Sequence, residues 1–120
     1  MQFRHVTLQV KDLPASIKFY QELVGLEIIN QIGDGFGNTI VFLGSGGTEV
    51  ELISTEKEIS PGASMSIGFE PTGPLEETLA RAQEFGCEIL GEIFSPNPAT
   101  RFFFVKDPNG YRVQFIQTTI

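Results

Sequence analysis

Four polar side chains, His5, Glu51, Ser66 and Gln114, fall at matched points of a chain that repeats its own pattern. As chemical types, a neutral imidazole, a carboxylate and an amide oxygen can each donate to a divalent first-row metal, whereas a serine hydroxyl is a poor ligand unless deprotonated. A carboxylate can also accept a proton from a substrate, which a glutamine amide cannot do at neutral pH. Three protein donors plus water would leave an open metal site. Each residue alone has a plainer role: His5, for instance, is a polar residue at a strand start that water or backbone can satisfy. The chemistry therefore depends on whether the chain brings these residues together.

The case for bringing them together is an internal repeat. Gly25-Leu26-Glu27-Ile28-Ile29 and Gly86-Cys87-Glu88-Ile89-Leu90 lie 61 positions apart and share a Gly-x-Glu-Ile-aliphatic pattern. The same shift pairs His5 with Ser66. Val50-Glu51-Leu52-Ile53 lies over Val113-Gln114-Phe115-Ile116 at a shift of 63, which pairs Glu51 with Gln114, the two extra residues falling in loops.

The elements that must position these residues follow from periodicity. Residues 3–10 alternate, with Val6, Leu8 and Val10 facing one way and His5, Thr7 and Gln9 the other, as in a strand with one apolar face. Asp12 reads as a helix N-cap with Pro14 in the first turn. Leu13, Ile17, Tyr20 and Val24 recur at helical spacing until Gly25 closes the helix. Strands are expected over 26–32, 39–43 and 48–54, separated by two glycine-rich turns. The first half thus reads β-α-β-β-β.

The second half repeats that order. A strand is expected over 64–70. A helix opened by Pro71-Thr72-Gly73-Pro74 carries Leu75, Leu79, Ala82 and Phe85 as its apolar stripe and ends at Gly86. Strands are expected over 87–94, 101–106 and 111–117, with Ser95-Pro96-Asn97-Pro98 as a loop. Asp107-Pro108-Asn109-Gly110 is the clearest hairpin in the chain, because Pro108 fixes one dihedral and Gly110 can take a positive φ. The strand after it puts Tyr111, Val113 and Phe115 on one face and Arg112, Gln114 and Ile116 on the other. If the halves pack as related modules, the helices cover the faces bearing Val6, Leu8, Val50, Leu52, Ile67, Phe69, Val113 and Phe115. The opposite faces then line a shared concavity holding His5, Glu51, Ser66 and Gln114.

Bulk properties narrow the function. At 120 residues the chain is one domain long, divided here into a first module over 1–54, a linker over 55–63 and a second module over 64–120. Its net charge of −7 has no basic cluster to offset it, so a nucleic-acid partner is not expected. No apolar stretch approaches the roughly 20 residues of a membrane span. One cysteine, Cys87, and no apolar N-terminal run point to a reducing cytoplasm. Cys87 itself reads as buried packing.

Three segments carry a resemblance to a known family: His5-Val6-Thr7-Leu8-Gln9-Val10-Lys11-Asp12-Leu13; Ser16-Ile17-Lys18-Phe19-Tyr20 leading to Leu23-Val24-Gly25-Leu26; and Phe104-Val105-Lys106-Asp107-Pro108-Asn109-Gly110-Tyr111. In this order they resemble the vicinal oxygen chelate superfamily, which includes glyoxalase I, extradiol dioxygenases, fosfomycin-modifying enzymes and bleomycin-binding resistance proteins. The resemblance implies an α+β fold of two βαβββ modules forming a half-open, barrel-like mixed sheet, often completed as a homodimer. It also implies metal ligands on inward strands, the metal being a divalent ion such as Zn, Ni, Co, Mn or Fe. His5, Glu51 and Gln114 match ligand positions, while Ser66 stands where a further ligand, usually histidine, would be.

The resemblance implies glyoxalase-type chemistry, in which a proton moves between adjacent carbons of a hemithioacetal. Gln114 cannot accept such a proton, so Glu51 is the only one of the four positions able to do so; Glu49 shares its face and could assist, or else serve as a solvated rim carboxylate. Phe36 and Phe94 adjoin loops and could line the mouth of the cup, as apolar pocket walls would require. Arg4, Arg101 and Arg112 could hold a substrate carboxylate through a bidentate fork. The expected function is a metal-dependent lyase or isomerase acting on a small oxygen-rich molecule. The alternative is a metal-free binding protein of the bleomycin-resistance type, which Ser66 and Gln114 favour. An extradiol dioxygenase fits less well, since that site uses two histidines and this chain has one.

Overall fold

The computed structural model describes residues 1–119. The chain divides into two compact units, Met1–Ser60 and Pro61–Ile120. Each is built around a four-stranded mixed sheet, so the fold is α+β.

In the first unit β1 (His5–Val10), β2 (Glu27–Gly33), β3 (Thr39–Gly44) and β4 (Glu49–Ser54) form a sheet in the order β1-β4-β3-β2. The β1–β4 pair is parallel, while β2–β3 and β3–β4 are antiparallel. A parallel neighbour needs a long crossover, and the helical segment after β1 begins it. That segment is α1 (Leu13–Lys18), capped by Asp12, whose Oδ1 accepts from Ala15 N at 3.1 Å. It continues as one wide π-helical turn over Phe19–Leu23.

The helix buries Ser16, Phe19, Tyr20 and Leu23, so its apolar stripe differs from the predicted one of Leu13, Ile17, Tyr20 and Val24. Two local features cause the shift. The Ser16 hydroxyl donates back to Asp12 O at 2.9 Å, so a polar side chain can be buried with its hydrogen bond made. The wider turn then carries the adjacent rings of Phe19 and Tyr20 inward together, 4.9 Å apart and edge to face. Below them Leu8, Val10, Val50 and Leu52 are buried on one face of the sheet. Each such side chain contributes about 1.5–3 kcal/mol through burial.

The second unit has the same plan. β5 (Ile67–Phe69), β6 (Phe94–Asn97), β7 (Thr100–Lys106) and β8 (Arg112–Thr118) form a sheet in the order β5-β8-β7-β6. Helix α2 (Leu75–Phe85) buries Leu75, Thr78 and Ala82 and stops at Gly86 in the left-handed conformation, φ 87°. Leu79 and Phe85, expected in its stripe, are only partly buried.

The repeat extends to strand register. Val6 pairs with Val50 and Leu8 with Leu52 across β1–β4, as Ile67 pairs with Val113 and Phe69 with Phe115 across β5–β8. These are the shifts of 61 and 63 seen in the sequence.

Two expected strands differ in extent. β5 covers Ile67–Phe69 rather than 64–70, because its partner β8 begins at Arg112, one residue before the Val113 that Ile67 faces. Ser66 therefore precedes the strand and is exposed. The run expected over 87–94 is interrupted at Gly91, φ 94°. Before it, Leu90 N donates to Phe104 O at 2.8 Å and Lys106 N to Glu88 O at 2.9 Å. Beyond it, the predicted loop containing Pro96 is the edge strand β6. A proline is tolerated there because an edge strand can leave one side of its backbone unpaired.

The 107–110 hairpin forms with Gly110 at φ 95°. Its organiser is the buried carboxylate of Asp107, whose Oδ1 accepts from Asn109 N at 2.8 Å and Tyr111 N at 2.9 Å. Among the described residues no helix is long and apolar enough to cross a membrane.

Candidate functional site

The face of the first sheet opposite its helix carries His5, Thr7, Glu49, Glu51 and Phe42. In register, His5 stands opposite Glu49, and Thr7 opposite Glu51, which in turn stands opposite Phe42. His5 and Glu51 are therefore diagonal neighbours, and Nε2 of the imidazole lies 3.4 Å from Glu51 Oε1. Both side chains keep some exposure, 31% and 12%. The His5 ring is braced edge to face on Phe42, with centroids 5.6 Å apart. Its other nitrogen, Nδ1, is buried and makes no hydrogen bond among the described residues.

A divalent metal can be tested against this pair. Two donors on one tetrahedral ion, with bonds of about 2.0–2.2 Å, stand roughly 3.4 Å from each other. The imidazole and carboxylate have that spacing, so the pair fits a metal through Nε2 and Oε1. It does not complete one, since no group of three or more His, Cys, Asp or Glu side chains capable of holding a metal occurs among the described residues.

Thr7 belongs to this cluster although sequence reasoning placed it only on a polar strand face. Its Oγ1 donates to Glu51 Oε1 at 2.5 Å. The sequence did contain a clue, because Thr7 follows His5 by two residues and so shares its face.

In the second unit Gln114 stands between Gly68 and Phe104 in register. Its Oε1 lies 3.5 Å from where a Cβ on Gly68 would be, so the amide oxygen rests over the glycine. Arg112 shares this face two residues earlier, half-buried. Three phenyl rings continue the face: Phe104 meets Phe102 at 5.6 Å and Phe102 meets Phe94 at 5.8 Å, both edge to face. Phe94 is 59% exposed.

A family model described as the Glyoxalase/Bleomycin resistance protein/Dioxygenase superfamily matches residues 2–115. The chain belongs to this superfamily. Among curated relatives in the superfamily, a lactoylglutathione lyase of Neisseria meningitidis serogroup A is 29% identical, with 98% of this chain and 91% of that protein aligned. Among solved structures, the trypanothione-dependent glyoxalase I of Leishmania major is 26% identical with a TM-score of 0.83, covering 98% of this chain and 86% of that one. The fosfomycin resistance protein FosX of Listeria monocytogenes shares the fold at a TM-score of 0.82 and 21% identity, covering 97% and 92% of the two chains.

The other residues named from the sequence are Phe36, Arg101, Arg4 and Cys87. Phe36 is 89% exposed on the β2–β3 loop. That loop is ordered by Asp34, which accepts from Asn38 Nδ2 and Phe36 N, each at 2.7 Å. The Asn38 side chain, then the Phe36 amide, hold the Asp34 carboxyl below its usual range. Arg101 is engaged by Glu76 in the first turn of α2 through its two terminal guanidinium nitrogens. Its hydrogen bond holds the Glu76 carboxyl below the usual carboxylate range. Arg4 is exposed. Burial pushes the Cys87 thiol up, and its Sγ donates to Ala82 O at 3.5 Å, a packing role.

Proposed function

We propose that this chain is a glyoxalase-type lyase or isomerase that uses a divalent metal to move a proton on a small oxygen-rich substrate. The observation that carries this reading is the His5–Glu51 pair, an imidazole and a carboxylate at metal-ligand spacing. His5 Nε2 and Glu51 Oε1 would hold the ion, and Gln114, at a position the superfamily resemblance matches to a ligand, is proposed as a further donor. When bound, such an ion supplies Lewis-acid polarisation of substrate oxygens.

The protein's own groups divide the remaining work. Oε1 of Glu51 faces the imidazole and accepts the Thr7 hydroxyl, which leaves Oε2 as the oxygen that takes the substrate proton and returns it to the neighbouring carbon. Phe94, Phe102 and Phe104 offer an apolar wall, and Arg112 a cation for a substrate carboxylate. Phe36 and Ser66 are further substrate-side groups in this reading. A cytoplasmic homodimer completes this reading, and sedimentation velocity checks the dimer.

A second reading, a metal-free small-molecule binder of the bleomycin-resistance type, is favoured by the uncharged Gln114 and the phenyl run beside it. Metal analysis of untagged protein, repeated on His5→Ala, separates the two. Stoichiometric divalent metal that is lost on substitution supports the enzyme. An absence of metal in wild-type protein, even after incubation with cobalt(II), leaves the binder.

A further inference from the structure

Thr7 stands directly opposite Glu51 in the parallel β1–β4 register and donates to Oε1, the oxygen that also faces His5 Nε2. At 2.5 Å this bond lies at the short end of hydroxyl–carboxylate contacts, where the acceptor is charged. A glutamate side chain otherwise samples several rotamers, so a tether to one oxygen selects among them. The repeat provides the contrast. The equivalent slot of the second unit is Gly68 opposite Gln114, and glycine has no side chain with which to hold that amide.

We infer that Thr7 is a positioning residue for Glu51: its hydroxyl fixes Oε1 beside the imidazole at the spacing a metal requires and leaves Oε2 free for the proton. This rests on the reading of His5 and Glu51 as the metal-holding pair. A hydrogen-bond partner that orients a metal ligand is worth about 10–100-fold in metal affinity. Thr7 is exposed on a sheet face, so its loss removes orientation without opening a cavity.

The test titrates cobalt(II) into the full chain, read by d–d absorption, for wild type, His5→Ala, Thr7→Val and Thr7→Ser. The unfolding of the metal-free proteins is measured in parallel. Valine keeps the shape and strand preference of threonine and lacks the hydroxyl, whereas serine restores it. Thr7→Val is expected to bind cobalt about 10–100-fold more weakly with metal-free unfolding nearly unchanged, and Thr7→Ser to recover most of the loss. Should Thr7→Val fail to fold, Thr7→Ala takes its place in the comparison. If Thr7→Val binds as wild type does while His5→Ala does not bind, the role of Thr7 is overturned and the metal reading stands. Failure of Thr7→Ser to rescue also overturns it, since packing and not the hydroxyl would then matter. If wild type takes up no cobalt, both fall together.

Discussion

His5 and Glu51 are diagonal neighbours across the parallel β1–β4 pair, and their facing atoms, Nε2 and Oε1, lie 3.4 Å apart. Neither is adjacent to the other in sequence, so the parallel register alone makes the pair. Shifting β1 by one residue would turn His5 to the helix side of the sheet.

Glu51→Gln retains the shape of the side chain and an oxygen for Thr7 but removes the charge and the proton acceptor. Under the proposed function, with a glutathione hemithioacetal as the candidate substrate, isomerisation by the cobalt-loaded protein should fall about 10²–10⁴-fold. Rates within a few-fold of wild type would remove Glu51 as the base.

Asp107→Ala should destabilise the second unit by about 2–3 kcal/mol, because the backbone amides of Asn109 and Tyr111 lose a buried charged acceptor. Asp107→Asn keeps one carbonyl oxygen and should cost less. Urea unfolding followed by circular dichroism measures both. A negligible cost for Asp107→Ala would mean that the Asp107 oxygens do not organise the turn.

The Arg101–Glu76 pair predicts a pH dependence of stability. Arg101 lowers the folded-state pKa of Glu76 below its unfolded value. The pair therefore stabilises at and above the ordinary carboxylate range, and that contribution is lost as pH falls through the lowered value. Both side chains are exposed, so the effect is small and screened by salt. Arg101→Gln should lower Tm slightly at neutral pH and low ionic strength, with the difference from wild type vanishing in acid or in roughly 1 M salt. Ligand uptake should not change, since Arg101 is committed to Glu76.

Phe103 and Phe94 test which face of the second sheet is structural. Phe103 is 1% exposed and packs on Phe115 at 5.3 Å, so Phe103→Ala should cost about 3–5 kcal/mol. Phe94→Ala should cost little in thermal unfolding and instead weaken binding of an aromatic ligand probe by fluorescence titration. A large loss of stability at Phe94 would make the phenyl run ordinary core.

Much of this architecture was legible because local signals agreed with one another. The Asp12 cap, the Gly86 stop, the 107–110 turn and the alternation in β1 each follow from short-range chemistry. The repeat then carried that information from one half to the other. What escaped the sequence depended on tertiary partners. Nothing local says that Pro96 would lie on a sheet edge with a backbone side left unpaired, or that Ser16 could be buried because it bonds to Asp12 O. The same holds for the site. Alternation put His5 and Thr7 on one face, and the repeat matched Glu51 to Gln114. That Thr7 meets Glu51, or that Arg101 is claimed by Glu76, depends on strand register and on the docking of α2 against its own sheet.

The matched register of the two units also equips the molecule with its own experimental control. Any change made at Thr7 or Glu51 has a counterpart at Gly68 or Gln114, embedded in the same ladder of strands but with different chemistry beneath it. Paired substitutions at these twinned slots can separate what a residue does as scaffold from what it does as reagent, without recourse to a second protein.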